Sequence, residues 1–470
     1  MAPENPNTEP IRHIAVLAFP FGSHISPLLN LVRRLSAGVA INVASDVKFS
    51  FLSTSQSNEA LFSSKEGFGN VRPYDVDDGW PEGRKLSGDI MEPVEMFMRA
   101  TPGNFKKALE EAEEDRGLKI GCLVSDAFLW FTGEIASERS VPWLPLWMAG
   151  PRSLLVQLES EKIRRHLGSD QGRKCKDRTL DFLPGFKAIR VSDLNDEVLI
   201  TSQDSELSLF ANMFHKMGQN LPKATAVLIN SFHKIDPEIS NQLKAKLRKF
   251  LNIGPFTLTM KLSPKPMPVL DENGCLDWLS EHETMSVAYV SFGSVATPLS
   301  HEIAALADAL EETRIPFLWS FRGKLEGVLE EKLCNSRLKF GKVVPWAPQV
   351  EVLKHSSVGA FVTHCGWNSV LESVAGGVPL ICRPFWGDQK LNMRMVKAVW
   401  GIGVEVEGGL ITKEGMVKDL RRVFLDNEGK EMRERIGVLK KLAHEAVEGG
   451  GNSSQDFNAL VKIVTKTPRV

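Results

Sequence analysis

The N-terminal half alternates short apolar runs with amphipathic stretches. An apolar run, HIAVLAF (13–19), is followed by a Gly/Pro/Ser turn, PFGSHISP (20–27), and a helix-like stretch, LLNLVRRL (28–35). The pattern returns at CLVSD (122–126), which precedes the apolar segment AFLWFTGEIASE (127–138). Short buried runs that alternate with helical stretches indicate a parallel sheet with helices on both faces.

A proline-rich segment separates this half from a second one. Four prolines fall within residues 251–270, and they predict a linker between an N-terminal domain, 1–250, and a C-terminal domain, 271–470. Beyond the linker, five apolar runs read as strands: VAYVSFGS, IPFLWSF, GKVVPW, SVGAFVTH and VPLICRP. We expect a ligand cleft between the two domains, with the last helix able to pack back on the N-terminal domain.

Composition narrows the function. A chain of 470 residues exceeds the size of one ordinary core, and its net charge of −1 gives no reason to expect nucleic acid or an anionic membrane as a partner. The six cysteines form no C-x-x-C pair, which fits reduced thiols better than zinc or disulfides. The N-terminal MAPENPNTEP lacks the character of a signal peptide, and no apolar run approaches the roughly 18 residues of a membrane span. These features predict a cytoplasmic protein that handles small molecules.

The most informative stretch extends from Trp346 to Gln389. It opens with WAPQ, carries HCGWNS in its middle and closes with DQ. In length and in these fixed positions it resembles the signature of plant family 1 UDP-glycosyltransferases. The resemblance implies an α/β GT-B fold, in which two Rossmann-like parallel-sheet domains enclose a cleft, and a UDP-sugar as co-substrate.

The physical chemistry of the central part agrees with this resemblance. SVGAFVTH is predicted as a strand that ends at His364, and CGWNSVLES as the helix that follows. Gly366 leaves room for close backbone approach, and Asn368 and Ser369 lie in the first turn. Free N–H groups and the positive end of a helix form an anion site, so a departing diphosphate would be stabilised without a metal ion. We therefore expect no metal and no further cofactor.

The resemblance implies roles for individual positions of the stretch from Trp346 to Gln389. It implies that Trp346 stacks on uracil, that Glu372 binds the ribose hydroxyls, and that Asp388 and Gln389 bind the sugar. Taken singly, Trp346 is equally explained as core and Glu372 as a solvated charge, but the ordered set favours the functional reading. The other implied donor-binding residues contact the nucleoside, the diphosphate or the sugar: Ser294, Ala347, Gln349, His364, Gly366, Trp367, Asn368, Ser369 and Trp386.

Two residues at predicted strand ends are candidates for catalysis. His24 lies in the loop after the first strand, and Asp126 closes CLVSD. The resemblance implies that His24 is the general base and that Asp126 orients it. A hydroxyl that attacks an anomeric carbon must lose its proton, and imidazole suits that task near neutral pH. We expect one in-line displacement with inversion. By contrast, Asp75, Asp77 and Asp78 in DVDD precede a loop signal, and we interpret them as a loop feature rather than a metal motif.

The N-terminal half resembles flavonoid and anthocyanidin 3-O-glucosyltransferases in particular, through PFGSHISPLLNLV, EMFMRATPGNFKKAL, SDAFLWF, AGPRSLLV and TLDFLPGFKAIRVSDL. The acceptors of that group are planar phenolic compounds, for which Phe128, Phe21 and Phe186 are candidate walls. Each of them is explained equally well by core packing.

Several positions depart from the pattern of that group. Met148 replaces a usual Thr, Gln157 a usual His, Trp80 a small apolar residue and Trp386 a Phe, and a usual Gln near Met91 is missing. Methionine donates no hydrogen bond, so the loss of a threonine contact would cost about 0.5–1.5 kcal/mol of sugar binding. Alternatively, Met148 indicates UDP-rhamnose or UDP-xylose as donor. A non-flavonoid acceptor and C-glycosylation also remain open, whereas the terminal Gln389 favours glucose.

Two other classes of protein fit the sequence less well. An NAD-dependent dehydrogenase requires G-x-G-x-x-G after a strand, and neither PFGSH nor SFGSV supplies it. A small-molecule binding protein on the same scaffold would be free to lose His24 or Asp126, and both are present. The sequence therefore predicts a UDP-dependent glycosyltransferase, which we expect to act as a monomer.

Overall fold

The computed structural model describes residues 12–42, 47–62, 67–81, 92–168, 176–199, 209–259, 270–293, 295–322 and 340–465. Two domains, each built on a parallel sheet, follow one another along the chain. The strands and helices predicted from the apolar runs are all present. Among the described residues, no helix combines the length and apolarity needed to cross a bilayer.

The N-terminal sheet has seven parallel strands in the order β3-β2-β1-β4-β5-β6-β7. Their bounds are β1 Arg12–Leu17, β2 Val47–Ser53, β3 Val71–Asp75, β4 Cys122–Asp126, β5 Trp143–Trp147, β6 Val227–Ile229 and β7 Phe250–Asn252. β7 thus extends through Leu251 and Asn252 of the predicted linker, while 260–269 of that segment lie outside the described residues.

The C-terminal sheet has six parallel strands in the order β10-β9-β8-β11-β12-β13. Their bounds are β8 Val287–Ser291, β9 Phe317–Ser320, β10 Gly341–Val344, β11 Val358–Thr363, β12 Leu380–Cys382 and β13 Gly403–Glu405. In both sheets the strand order reverses once, between β1 and β4 and between β8 and β11. Ligands of open α/β sheets bind at the carboxyl ends of the strands at such a reversal.

Helices cover both faces of each sheet. Those of the N-terminal half are α1 Ile25–Asn42, α2 Ser55–Leu61, α3 Glu92–Arg116, α4 Thr132–Glu138, α5 Pro151–Leu158, α6 Ser160–Leu167, α7 Asp196–Leu199, α8 Leu209–Asn220, α9 Pro237–Lys246 and α10 Phe256–Thr259. Those that follow are α11 Cys275–Ser280, α12 Ser300–Thr313, α13 Gln349–Lys354, α14 Trp367–Gly376, α15 Gln389–Arg394, α16 Lys413–Phe424, α17 Asn427–Val447 and α18 Asn452–Thr465.

The first strand shows why the apolar runs become central strands. Ile14 and Val16 pack into a cluster on one face of the sheet, and Ala15 and Leu17 into a cluster on the other; all four are fully buried. Because side chains alternate along a strand, a run that is apolar at every position fits only a sheet covered on both faces.

The last helix, α18, returns to the N-terminal domain. Phe457, Leu460 and Val461 are buried in the same cluster as Ile14 of β1. The Asp456 carboxylate accepts a hydrogen bond of 2.9 Å from the backbone N–H of Asn252 in β7. The end of the described chain therefore completes a core that the first residues begin.

Candidate active site

The strand reversal of the N-terminal sheet brings His24 and Asp126 together. Asp126 ends β4, and His24 follows the loop after the adjacent β1. His24 Nδ1 lies 2.8 Å from Asp126 Oδ2; the aspartate side chain is fully buried and the histidine side chain is 19% exposed. An ionised carboxylate only accepts, so Nδ1 carries the proton and Nε2 keeps a lone pair. The pair has the geometry of a general base and its orienting carboxylate.

Aromatic rings surround the imidazole. The ring centroid of Phe128 lies 4.5 Å from that of His24, and the ring of Phe19 lies at 5.2 Å. The backbone N–H of Phe128 donates to Asp126 Oδ1 at 2.8 Å, so both carboxylate oxygens have a partner. Phe21 packs on Phe19 at 5.3 Å and is only partly buried. Phe128 thus packs directly on the imidazole, and Phe21 packs beside it on Phe19; their role as acceptor walls stays a prediction.

The strand reversal of the C-terminal sheet places the N-terminus of α14 next to His364. β11 leads to His364, and Gly366 caps α14, whose first N–H groups lack helical partners. A Cβ on Gly366 would lie 2.5 Å from His364 Nε2, and one on Gly293 would lie 2.9 Å from the same atom. Glycine at both positions therefore keeps space for the imidazole. Burial lowers the pKa of His364 to about 4, so this side chain is neutral at neutral pH.

A polar network lies one turn into α14. Gln349 Nε2 donates to Glu372 Oε2 at 2.7 Å and to Ser369 Oγ at 3.0 Å, while Gln349 Oε1 accepts from the Tyr289 hydroxyl at 3.2 Å. Burial raises the pKa of Glu372 to about 7, and the hydrogen bond from Gln349 partly offsets this effect. The site thus holds a carboxyl group, oriented by an amide, that changes charge near neutral pH.

Asp388 lies where the two domains meet. Burial raises the pKa of its carboxyl group, and hydrogen bonds from Asn392 and from the backbone of Gly150, together with the nearby His24, oppose that rise. Asn392 Nδ2 donates to Asp388 Oδ2 at 2.7 Å. Gly150 and His24 belong to the N-terminal domain, so Asp388 interacts with residues of both domains.

Gln389, Trp346 and Trp386 differ in their exposure. Gln389 is buried, and its Oε1 accepts from the backbone N–H groups of Phe385 and Trp386 at 2.8 and 3.2 Å. The side chains of Trp346 and Trp386 are unusually open, at 40% and 50% exposure. Open indole rings are suited to stacking on a planar base or sugar.

Four residues predicted to contact a ligand are buried by other parts of the protein. Phe186 is fully buried beneath the guanidinium of Arg152, so it is a core residue rather than an acceptor wall. Trp367 is also buried, and its Nε1 donates to the carbonyl of Asn230 at 2.8 Å across the domain interface. Gln157 is buried, and its side-chain amide donates to the backbone carbonyl of Phe214 in α8. Ala347 is buried in the core that packs below the C-terminal sheet.

Two other predicted residues, Met148 and Trp80, lie against the core and in a loop, respectively. Met148 is half-buried and packs against the core cluster of β1 and α18. Trp80 is partly exposed, and its backbone N–H donates to Asp78 Oδ1 at 2.8 Å. In the same way, the backbone N–H of Gly79 donates to Asp77 Oδ1 at 2.7 Å. These two carboxylates therefore close a loop. Met91 and Ser294 lie outside the described residues.

Sequence reasoning missed several polar residues at the domain interface. Arg394 Nε donates to Asp193 Oδ2 at 2.9 Å in a mostly buried ion pair. Asn392 Nδ2 also donates to the carbonyl of Cys365 at 3.0 Å, where φ is +63°. Asn230 follows the buried strand VLI, and a polar residue at the carboxyl end of a parallel strand is the signal that would have found it.

Metal ligands are not clustered at the site. In the described ranges, no group of three or more His, Cys, Asp or Glu side chains is arranged to hold a metal ion.

Comparison with known proteins identifies the family. A model of the UDP-glucoronosyl and UDP-glucosyl transferase family matches residues 84–445. A flavonol 3-O-glucosyltransferase from Actinidia chinensis var. chinensis is 49% identical over 96% of both chains. An anthocyanidin 3-O-galactosyltransferase from the same plant is 47% identical over 96% of this chain and 97% of its own.

A solved structure gives the same result for the fold. It is a UDP-glucose:anthocyanidin 3-O-glucosyltransferase in complex with UDP, with a TM-score of 0.88 and 38% identity over 97% of this chain and 99% of its own. The predicted GT-B architecture, two parallel-sheet domains around a cleft, is confirmed. The chain belongs to the UDP-glucoronosyl and UDP-glucosyl transferase family and is a UDP-dependent glycosyltransferase.

Proposed function

We propose that this enzyme transfers glucose from UDP-glucose to the 3-hydroxyl of a flavonoid, with inversion at the anomeric carbon. The observation that carries the proposal is the His24–Asp126 pair, which faces Asp388 across the cleft. Relatives named as flavonol and anthocyanidin 3-O-glucosyltransferases support the choice of acceptor and sugar.

The chemistry follows from the placement of proton acceptors and donors. His24 Nε2 takes the proton of the acceptor hydroxyl as its oxygen forms a bond to the anomeric carbon. The bond between that carbon and the phosphate oxygen breaks on the opposite face, and UDP leaves with the electron pair. Asp126 stabilises the imidazolium, while the N-terminus of α14 and neutral His364 stabilise the charge on the diphosphate.

The donor pocket is proposed residue by residue. Uracil stacks on Trp346, and Glu372 accepts from the ribose hydroxyls. Gln389 has its carbonyl engaged by two backbone donors, which fixes its amide and leaves Nε2 to donate to a sugar hydroxyl. Asp388 accepts from another sugar hydroxyl, and Trp386 flanks it. Ser294, Asn368 and Ser369 complete the diphosphate site.

The proposed acceptor pocket adjoins the imidazole of His24. Phe128 and Phe21 provide aromatic surface next to His24. Trp80, Met91 and Met148 are proposed to shape acceptor or sugar preference. One specific observation favours a second sugar, because a relative of nearly equal identity is named as a galactosyltransferase.

We further propose that the enzyme works in the cytosol as a monomer that needs no metal ion. One chain supplies both walls of the cleft, which supports a monomer. Four of the cysteines are buried and free, which fits a reducing compartment. We propose domain boundaries at residues 1–250 and 271–470, with 251–270 as the linker. The change of sheet between β7 and β8 supports this division.

The test is mass spectrometry of products from UDP-glucose with flavonols, simple phenols and terpenoid alcohols. A hexose gain on a flavonol, located at the 3-hydroxyl by NMR, is the expected result. A gain only on another acceptor class would overturn the flavonoid assignment. Parallel reactions with UDP-galactose, UDP-rhamnose and UDP-xylose test the sugar. His24→Ala tests the general base, with the exposed His444→Ala as its control.

A further inference from the structure

Asn230 belongs to the N-terminal domain but contacts the donor helix of the other domain. It follows β6, is only 6% exposed, and its side chain reaches Asn368 in the first turn of α14. Its carbonyl oxygen separately accepts from Trp367 Nε1 at 2.8 Å. Backbone and side chain of this residue therefore make different bonds to the same helix end.

The direction of the side-chain hydrogen bonds at Asn230 is fixed. The backbone N–H of Phe256 lies 2.9 Å from Asn230 Oδ1, and a backbone N–H is only a donor. Oδ1 must therefore be the accepting end, and Nδ2 points to Asn368 Oδ1 at 3.2 Å. A Cβ on Gly254 would lie 2.3 Å from Asn230 Oδ1, so glycine is required there for the amide to take this position.

The direction of the hydrogen bond from Asn230 also fixes the orientation of the Asn368 amide. Its Oδ1 is engaged by Asn230, so its amide presents Nδ2, with two N–H donors, on the other side. The opposite orientation would present a carbonyl oxygen to an anion, which is repulsive. We propose that Asn230 is a positioning residue that sets the polarity of the Asn368 amide, so that the N-terminus of α14 presents only donors to the diphosphate. This inference rests on the proposed function, in which that site binds UDP.

Asn230 couples the two domains through the direction of its hydrogen bonds. Phe256 and Asn230 lie in the N-terminal half, whereas Asn368 lies in the donor helix. The anion site thus has its full set of donors only when the two domains are in contact.

The test compares Asn230→Asp with Asn230→Ala, measuring UDP and uridine affinity by calorimetry. Aspartate keeps the volume and still accepts from Phe256, but it offers a second oxygen to Asn368, whose amide then turns its carbonyl to the phosphates. We expect UDP affinity to fall by about tenfold or more for Asp, by less for Ala, and uridine affinity to stay within about twofold for both.

Each alternative gives a different pattern. If Asn230 served only packing, the smaller Ala would be worse than Asp, and uridine would weaken as much as UDP. If the added charge alone mattered, Ala would bind UDP as the wild type does. Either result overturns the proposal. Should the Asp variant not fold, as judged by its melting curve, a UDP-selective loss in Ala remains required. Failure of the wild type to prefer UDP over uridine would instead contradict the proposed diphosphate site.

Discussion

Replacing Asp126 by Asn should disable the general base without moving it. The N–H of Phe128 lies 2.8 Å from Asp126 Oδ1 and would hold the amide oxygen of Asn in that place. The NH₂ group would then occupy the position of Oδ2, which is 2.8 Å from His24 Nδ1. Facing a donor, Nδ1 must accept, so the proton of the imidazole moves to Nε2. His24 would then present an N–H to the acceptor hydroxyl instead of a lone pair.

The size of the effect follows from these two bonds. To act as a base, His24 must return its proton to Nδ1 against the NH₂ group. This loses a hydrogen bond to a charged group, about 1.5–3 kcal/mol, and leaves a buried donor unpaired, about 1–3 kcal/mol. The sum, about 2.5–6 kcal/mol, corresponds to a loss of about 10²–10⁴-fold in kcat.

The assay is steady-state transfer from UDP-glucose to a flavonol, together with UDP affinity by calorimetry. The control is Glu138→Gln, which alters an exposed carboxylate paired with Lys106. We expect Asp126→Asn to lose kcat and keep UDP affinity. If kcat stayed within about fivefold of the control, the tautomer argument would be refuted. If UDP affinity fell equally with kcat, Asp126 would instead support the donor site.

Three further predictions concern the donor site and the interface. Gly366→Ala places a methyl group 2.5 Å from His364 Nε2, so calorimetry should show weaker UDP binding with uridine affinity retained. Burial raises the pKa of Glu372 to about 7, and its ionised form accepts better, so UDP affinity should rise between pH 6 and 8. A Glu372→Gln variant should lack this rise, and an equal rise would refute the assignment. Asp193→Asn leaves Arg394 buried without its charge partner, so urea unfolding should show a loss of about 3–5 kcal/mol. Adding Arg394→Met should restore part of it.

The elements that the sequence predicted are those with a strong local signal. β11 has a single polar side chain, Thr363, and is followed closely by Gly366, so both the strand and the start of α14 were evident. His24 and Asp126 were expected to lie close together because strand ends gather at one edge of a parallel sheet. Their roles as base and orienting carboxylate came from the family resemblance.

The parts that were not predicted depend on contacts between distant segments. β5 contains Pro145, and β6 is only three residues long, so neither run was recognised as a strand. Phe186 and Trp367 were assigned to ligands, but whether an aromatic ring faces a cleft or a core depends on what packs against it. The partners in question are Arg152 for Phe186 and Asn230 for Trp367.

The return of α18 to the N-terminal domain has a consequence for how the chain is made. Phe457 and Leu460 fill a core that begins with β1, and the guanidinium of Arg34 lies 3.7 Å from the ring centroid of Phe457. During synthesis, the first domain leaves the ribosome with this apolar face uncovered, and it waits for the whole second domain before the face is closed. Domains generally fold as units from the N-terminus. Here the core of the first domain is completed only by residues that are made after the second domain.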